Sequence, residues 1–265
     1  MPCPRVTDDP PTAHWAPSFC RTCAQHCLIL VADQPLSHGQ EVTVADSPIP
    51  DQDRAQWPFE VTFDGGARSI ADRAKVAGAG AILWRHSPTG GPPTRLASCI
   101  VAVPGSDSAQ MGETTGCRAG LGLLQALHTH AHAARIVGDN LAAVRYGAGT
   151  GRYRRLHLCA QMDQGLRPLV AGGWRLTWQA VRRRLNKAAD ALATLGVFWA
   201  DRLRQNGHDA VASWIVWHDD PPSSVPPLFP APSLTGLPVQ DIPQAVCDLE
   251  AGAARPAAGA RVGAL

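Results

Sequence analysis

The chain has 265 residues with 24 Lys+Arg against 22 Asp+Glu, and its 23 prolines fall eight in residues 1–57, six in 58–206 and nine in 207–265. The 149 residues of the middle segment are long enough for one substantial core, and they hold 19 basic against nine acidic residues, a charge of +10 that acidic flanks hide in the total of +2. No run nears the roughly 18 apolar residues of a membrane span and no signal sequence opens the chain, so the expectation is a soluble, intracellular protein of open compartment, with no membrane partner.

Residues 1–57 read as a Pro-rich, partly disordered segment. Its Cys20, Cys23 and Cys27, with His14 and His26 nearby, have a spacing that a zinc ion can use. One CxxC without a second pair is a weak signal, however, and reduced, incidental cysteines are the expected state.

From residue 58 the pattern becomes regular. FEVTFDGG (59–66) reads as a strand ending in a turn, VAGAGAILWRH (76–86) as a second and RLASCIVAV (95–103) as a third. Short, turn-rich connections such as SPTGGPPT (87–94) favour an antiparallel meander, because parallel crossovers need a dozen or more residues. Met111, Cys117, Leu121, Leu124 and Leu127 mark one face of a helix within 108–130. His128, His130 and His132 near its end read as surface groups facing the helix dipole.

ARIVGD (134–139) is a short strand ending in a carboxylate, followed by helices over 140–146 and 154–170. WRLTWQAV (174–181) alternates as a strand does, and a helix runs from about 187 to 204 after the basic run Arg182, Arg183 and Arg184. Trp84, Trp174 and Trp178 lie on predicted strands and read as core or sheet-face packing rather than base-stacking platforms. Residues 207–220 form a short packing element through Trp214 and Trp217, and 221–265 a Pro/Ala-rich disordered tail. The order β-β-β-α-β-α-β-α implies an α/β fold: a five-stranded mixed sheet, three strands in an antiparallel meander and two parallel, flanked by helices.

The few acids of 58–206 fall at telling places. Asp64 ends the first of these strands, Asp139 ends the fourth, Glu113 sits on the first long helix and Asp190 begins the last. If the first and fourth strands are parallel neighbours, Asp64 and Asp139 emerge side by side at their carboxyl ends, where open α/β sheets build their sites. Four clustered carboxylates repel one another, and such a cluster makes physical sense mainly around divalent cations; oxygen ligands select Mg²⁺ or Mn²⁺. Two ions there would activate water and stabilise a leaving oxygen in phosphodiester hydrolysis, with the basic surface holding a polyanion.

FDGGAR (63–68), QMGETTGCRAGL (110–121), VGDNLAAV (137–144) and VRRRLNKAADALA (181–193) resemble, in order, spacing and context, the type 1 ribonuclease H family. The resemblance covers about residues 58–205, and its last segment is similar to the plant-type and retroelement-derived branch. It implies a ribonuclease H-like fold and hydrolysis of the RNA strand of RNA/DNA hybrids by a monomer using two Mg²⁺ ions, with Mn²⁺ as substitute and no small-molecule cofactor. The implied metal ligands are Asp64, Glu113, Asp139 and Asp190. The implied substrate contacts are Gly65 and Gly66, leaving room for a 2′-hydroxyl, together with Gln110, Arg183 and Asn186. Asn186 also reads as a cap on the last helix.

The chain departs from the family in lacking a histidine between Val181 and Asp190, where Arg183 stands instead. It also has no counterpart of the basic handle helix, although Arg152, Arg154 and Arg155 are candidates for phosphate contacts. Gly112, Gly116 and Gly120 weaken the first helix by up to about 1 kcal/mol each relative to alanine. The alternative function is a catalytically weak or inactive hybrid- or RNA-binding module derived from a retroelement polyprotein. A third possibility, a DNA-directed nuclease of the same fold, fits the meander and the Gly pair less well.

Overall fold

Alternation in the segment Phe59–Ser69 places Phe59, Val61 and Phe63 on one buried face and Glu60 and Thr62 on the other. The structure, a computed structural model, describes residues 13–20, 25–32, 42, 44–46, 56–70, 75–106, 108–127, 129 and 132–218. Its strands are β1 (Ala13–Cys20), β2 (Gln25–Ala32), β3 (Val44–Ala45), β4 (Phe59–Ser69), β5 (Lys75–Arg85), β6 (Thr94–Ser106), β7 (Ala133–Gly138), β8 (Arg175–Val181) and β9 (Ala212–Trp217). The helices are α1 (Ala109–Gln125), α2 (Leu141–Gly147), α3 (Leu156–Ala171) and α4 (Lys187–Gln205), with a 3-10 turn at Arg183–Leu185 before α4.

Strands β1 and β2 pair with each other, antiparallel, in a stretch where the sequence suggested no strands. The other seven form one sheet in the order β3-β8-β7-β4-β5-β6-β9. Strands β4, β5 and β6 are the antiparallel meander, and β7 runs parallel to both β4 and β8. The sheet therefore has seven strands rather than the five expected. The two additions cover what would otherwise be its open edges: β3 pairs parallel with β8, and β9 antiparallel with β6.

Helices pack on both faces. One core joins Val61 and Phe63 to Leu121 of α1, Leu158 and Met162 of α3 and Trp178 of β8. The other joins Ile82 and Ile100 to Leu192, Trp199 and Leu203 of α4, with Trp214 of β9 beside them.

The glycines of α1 have a positive role that helix propensity hides. A Cβ on Gly116 would lie 2.3 Å from the Asp64 carbonyl oxygen, and one on Gly120 the same distance from Val61 Cγ1. Their absence of side chains seats the helix backbone on the sheet, and the packing gained outweighs the propensity lost. Gly78 does the same for α4, since its Cβ would meet the Val197 amide nitrogen at 2.0 Å.

Trp178 is buried, and Trp84 is half-buried and donates to Thr62 Oγ1 at 3.1 Å. The Trp174 ring stacks on His132, with centroids 5.3 Å apart. Cys99, Cys117 and Cys159 are free thiols. The zinc reading of Cys20, Cys23 and Cys27, the roles of His128 and His130, and residues 221–265 lie outside what the structure describes. Among the described residues no helix is long and apolar enough to cross a membrane.

Candidate active site

The site forms where β4 and β7 part. Their parallel pairing ends at Phe63 opposite Gly138, so Asp64, the next residue of β4, and Asp139, which directly follows β7, leave the ladder at the same level. Asp64 does not end its strand, as the sequence suggested, because β4 runs on to Ser69 against β5. What ends there is the neighbour on the other side, and the divergence opens the space into which the carboxylates point.

Glu113 is brought to this point by backbone contact. A Cβ on Gly65 would lie 2.1 Å from the Glu113 amide nitrogen, and one on Gly112 would lie 2.7 Å from the Gly66 carbonyl oxygen. Side-chain oxygens of Asp64, Glu113 and Asp139 consequently all lie within 4.8 Å of one another.

Electrostatics at this cluster are unfavourable without a cation. Burial, followed by the charges of Glu113 and Asp139, raises the Asp64 pKa to about 9. Burial and the charge of Asp139 raise Glu113 to about 8, against the opposing help of Asn140, the Gly65 amide and Arg183. Asp64 accepts a 2.8 Å hydrogen bond from the Gly65 amide, whereas Glu113 Oε2 is buried with no hydrogen-bond partner. Hard carboxylate oxygens, mutual repulsion and an orphaned buried oxygen together fit a divalent metal cation.

Asp190 is not one of these three. It lies in the first turn of α4, where it accepts from Arg183 Nε at 3.1 Å and from a terminal guanidinium nitrogen of the same residue at 2.5 Å. The Arg183 guanidinium is stabilised in its charged form first by Asp190, and further by Asp64 and Asp139. It is thus a cation already facing the acids.

The other predicted residues divide into rim and interior. Gln110 is exposed at the start of α1, and Arg152, Arg154 and Arg155 are exposed before and at the start of α3. Gly66 has ordinary space beside it, a Cβ there meeting Val197 Cγ2 at 3.6 Å, whereas Gly65 is filled from one side by α1. The room expected at Gly65 for a 2′-hydroxyl is on that side taken by helix backbone.

Asn186 differs most from expectation. It is 3% exposed, and its side chain makes no cap hydrogen bond to α4. Its amide instead donates to the Phe63 carbonyl at 2.8 Å and to Asp139 Oδ1 at 3.3 Å, tying the start of α4 to the two strands that carry the acids.

Sequence reasoning also passed over Asn140, read as part of a helix. It is the N-cap of α2, accepting from the Ala143 amide at 3.0 Å, and its side chain lies beside Glu113. An Asn directly before a helical run was the available signal.

No family model and no curated protein matches the chain. Among similar solved structures is the N-terminal RNase H domain of a Mycobacterium tuberculosis protein, solved as a fusion with maltose binding protein. It is 22% identical, with 55% of this chain and 97% of that chain covered and a TM-score of 0.43. LC11-RNase H1 in complex with an RNA/DNA hybrid is 18% identical, with 54% and 98% covered and a TM-score of 0.44. The foamy viral protease-reverse transcriptase in complex with an RNA/DNA hybrid is 14% identical, with 59% of this chain but 22% of that chain covered and a TM-score of 0.44. At such scores the fold stands on its own topology. A three-strand meander followed by two parallel strands, with helices on both faces and the acids where β4 and β7 diverge, is the ribonuclease H-like fold.

Proposed function

We propose that this domain hydrolyses the RNA strand of RNA/DNA hybrids. The observation that carries the reading is the convergence of Asp64, Glu113 and Asp139 within 4.8 Å in a domain whose charge is otherwise strongly positive. These three carboxylates, joined by Asp190 once it parts from Arg183, would hold two Mg²⁺ ions, with Mn²⁺ as substitute. Bound there, the ions supply Lewis-acid stabilisation of the phosphodiester and lower the pKa of water.

The chain's own residues set the geometry and the field. Gly65 fixes the separation of Asp64 and Glu113, while Asn186 holds Asp139 against β4. Arg183 balances the acids before cations arrive and becomes available to a backbone phosphate when they do. Gln110 stands exposed at the start of α1, where it would meet the substrate. In the reaction a water oxygen forms the new bond to phosphorus and the bond to the 3′-oxygen breaks, leaving a 5′-phosphate and a 3′-hydroxyl. No covalent intermediate is required.

One observation favours a second reading. Because Asp190 is held by Arg183, the chain is also compatible with a binding-only module descended from a retroelement polyprotein. The purified chain should be incubated in Mg²⁺ with hybrid, duplex DNA and single-stranded RNA of one sequence. Cleavage confined to the RNA of the hybrid supports the enzyme; salt-sensitive binding of hybrid without cleavage in Mg²⁺ or Mn²⁺ supports the module.

A further inference from the structure

The three arginines that follow β8 face two ways. Arg183 turns to Asp190, whereas Arg182 and Arg184 both meet Asp46, a residue of the N-terminal flank. Arg182 pairs with the Asp46 carboxylate, and Arg184 donates to the Asp46 carbonyl at 2.6 Å. The Arg182 amide adds a 3.2 Å bond to the Ala45 carbonyl. Asp46 and all three arginines line one open cleft of about 620 Å³.

This contact is built to be exchangeable. Strand β3 adds only two residues to the sheet edge, and the side chains of Arg182 and Asp46 are 62% and 66% exposed. Exposed ion pairs contribute little because water screens them. A nucleic-acid backbone offers repeated anions with several acceptor oxygens each, and guanidinium groups match phosphate in paired hydrogen bonds. Its binding also releases condensed counterions, a gain that a single carboxylate does not bring.

The flank is suited to a stand-in role by charge. Residues 1–57 carry seven acidic and three basic residues beside a domain of charge +10. The cleft is also lined by Arg183, which pairs with Asp190 in the first turn of α4.

We propose that Arg182 and Arg184 form a backbone-phosphate site for nucleic acid, and that Asp46, which directly follows β3, occupies this site until the polyanion displaces it. The proposal takes its ligand class from the function proposed above, but its test reads binding rather than cleavage.

The experiment measures affinity of the full chain for a labelled RNA/DNA hybrid, and for duplex DNA of equal length, in EDTA over a salt series. Wild type, Asp46→Asn, the pair Arg182→Gln with Arg184→Gln, and the triple variant are compared. All three residues are exposed, so folding should survive, and circular dichroism checks that it does. Asp46→Asn should tighten binding several-fold in wild type and leave it unchanged in the arginine-substituted background. The arginine pair should weaken binding roughly tenfold and reduce the salt slope by about one to two. An Asp46→Asn effect that is absent, or equal in both backgrounds, overturns the proposal, as does failure of either polyanion to bind. Coupling between Asp46 and the arginines in a chain that cleaves nothing would sustain this site and refute the catalytic reading. Cleavage without that coupling would do the reverse.

Discussion

Gly65 and Glu113 are in backbone contact, so close that a single methyl group on Gly65 would lie 2.1 Å from the Glu113 amide nitrogen. Since Asp64 precedes that glycine, the contact sets the distance between two of the clustered acids. Gly65→Ala should destabilise the domain by about 1–3 kcal/mol, the usual cost of overpacking, because rigid backbone must move. It should also weaken divalent-ion binding. Chemical denaturation and a Mn²⁺ titration check the two effects, and a substitution neutral in both would show that the contact does not position Glu113.

The raised pKa values of Asp64 and Glu113 make stability depend on pH in a defined direction. Their ordinary values are 3.8 and 4.5, and their folded values about 9 and about 8. Between these limits the folded state retains protons that the unfolded state has released, so stability contributed by these groups is present at acid pH and is lost as pH rises through the folded values. Thermal melts in EDTA should show Tm falling from about pH 5 to pH 9, with the fall reduced by saturating Mg²⁺. A Tm independent of pH, with and without the ion, would contradict the repulsive cluster.

Neutralising one member of the cluster should stabilise the metal-free protein while removing its chemistry. Asp64→Asn is expected to raise stability in EDTA by on the order of 1 kcal/mol and to abolish metal-dependent cleavage, a trade common at strained sites. Paired melting and cleavage assays measure both. A variant less stable than wild type in EDTA would mean that the acids do not repel in the folded state.

Asn186 holds two strands through one amide group. Asn186→Ala should cost about 1–3 kcal/mol, since it strands the buried Phe63 carbonyl, and Asn186→Asp should cost more at neutral pH by placing a further negative charge against Asp139. The comparison separates a specific donor role from simple filling of space. Equal losses in the two variants would argue for filling.

Some of this was legible in the sequence. Asp64 and Asp139 stood out because each follows a short strand-like run, alternating before Asp64 and largely apolar before Asp139, and parallel neighbours release such residues at the same level. Gly112, Gly116 and Gly120 misled because propensity counts what a residue does to an isolated helix; here it is the sheet beneath that requires them. The burial of Asn186 was hidden because a position just before a helix does not say which way its side chain turns. Strand β3 was invisible for a simpler reason: two residues carry no periodicity, and their place is set by the unpaired edge of β8. The Arg183–Asp190 and Arg182–Asp46 pairs likewise need the fold, the second joining residues 136 positions apart.

The central claim is that the cluster around Asp64 acts on the RNA of a hybrid through divalent ions. Its most direct test is end-labelled RNA annealed to DNA, incubated with wild-type protein in Mg²⁺, with wild type in EDTA, and with Asp139→Asn in Mg²⁺. RNA cleavage should appear in the first alone, with 5′-phosphate and 3′-hydroxyl ends. Cleavage that persists in EDTA, or at undiminished rate in Asp139→Asn, would contradict it.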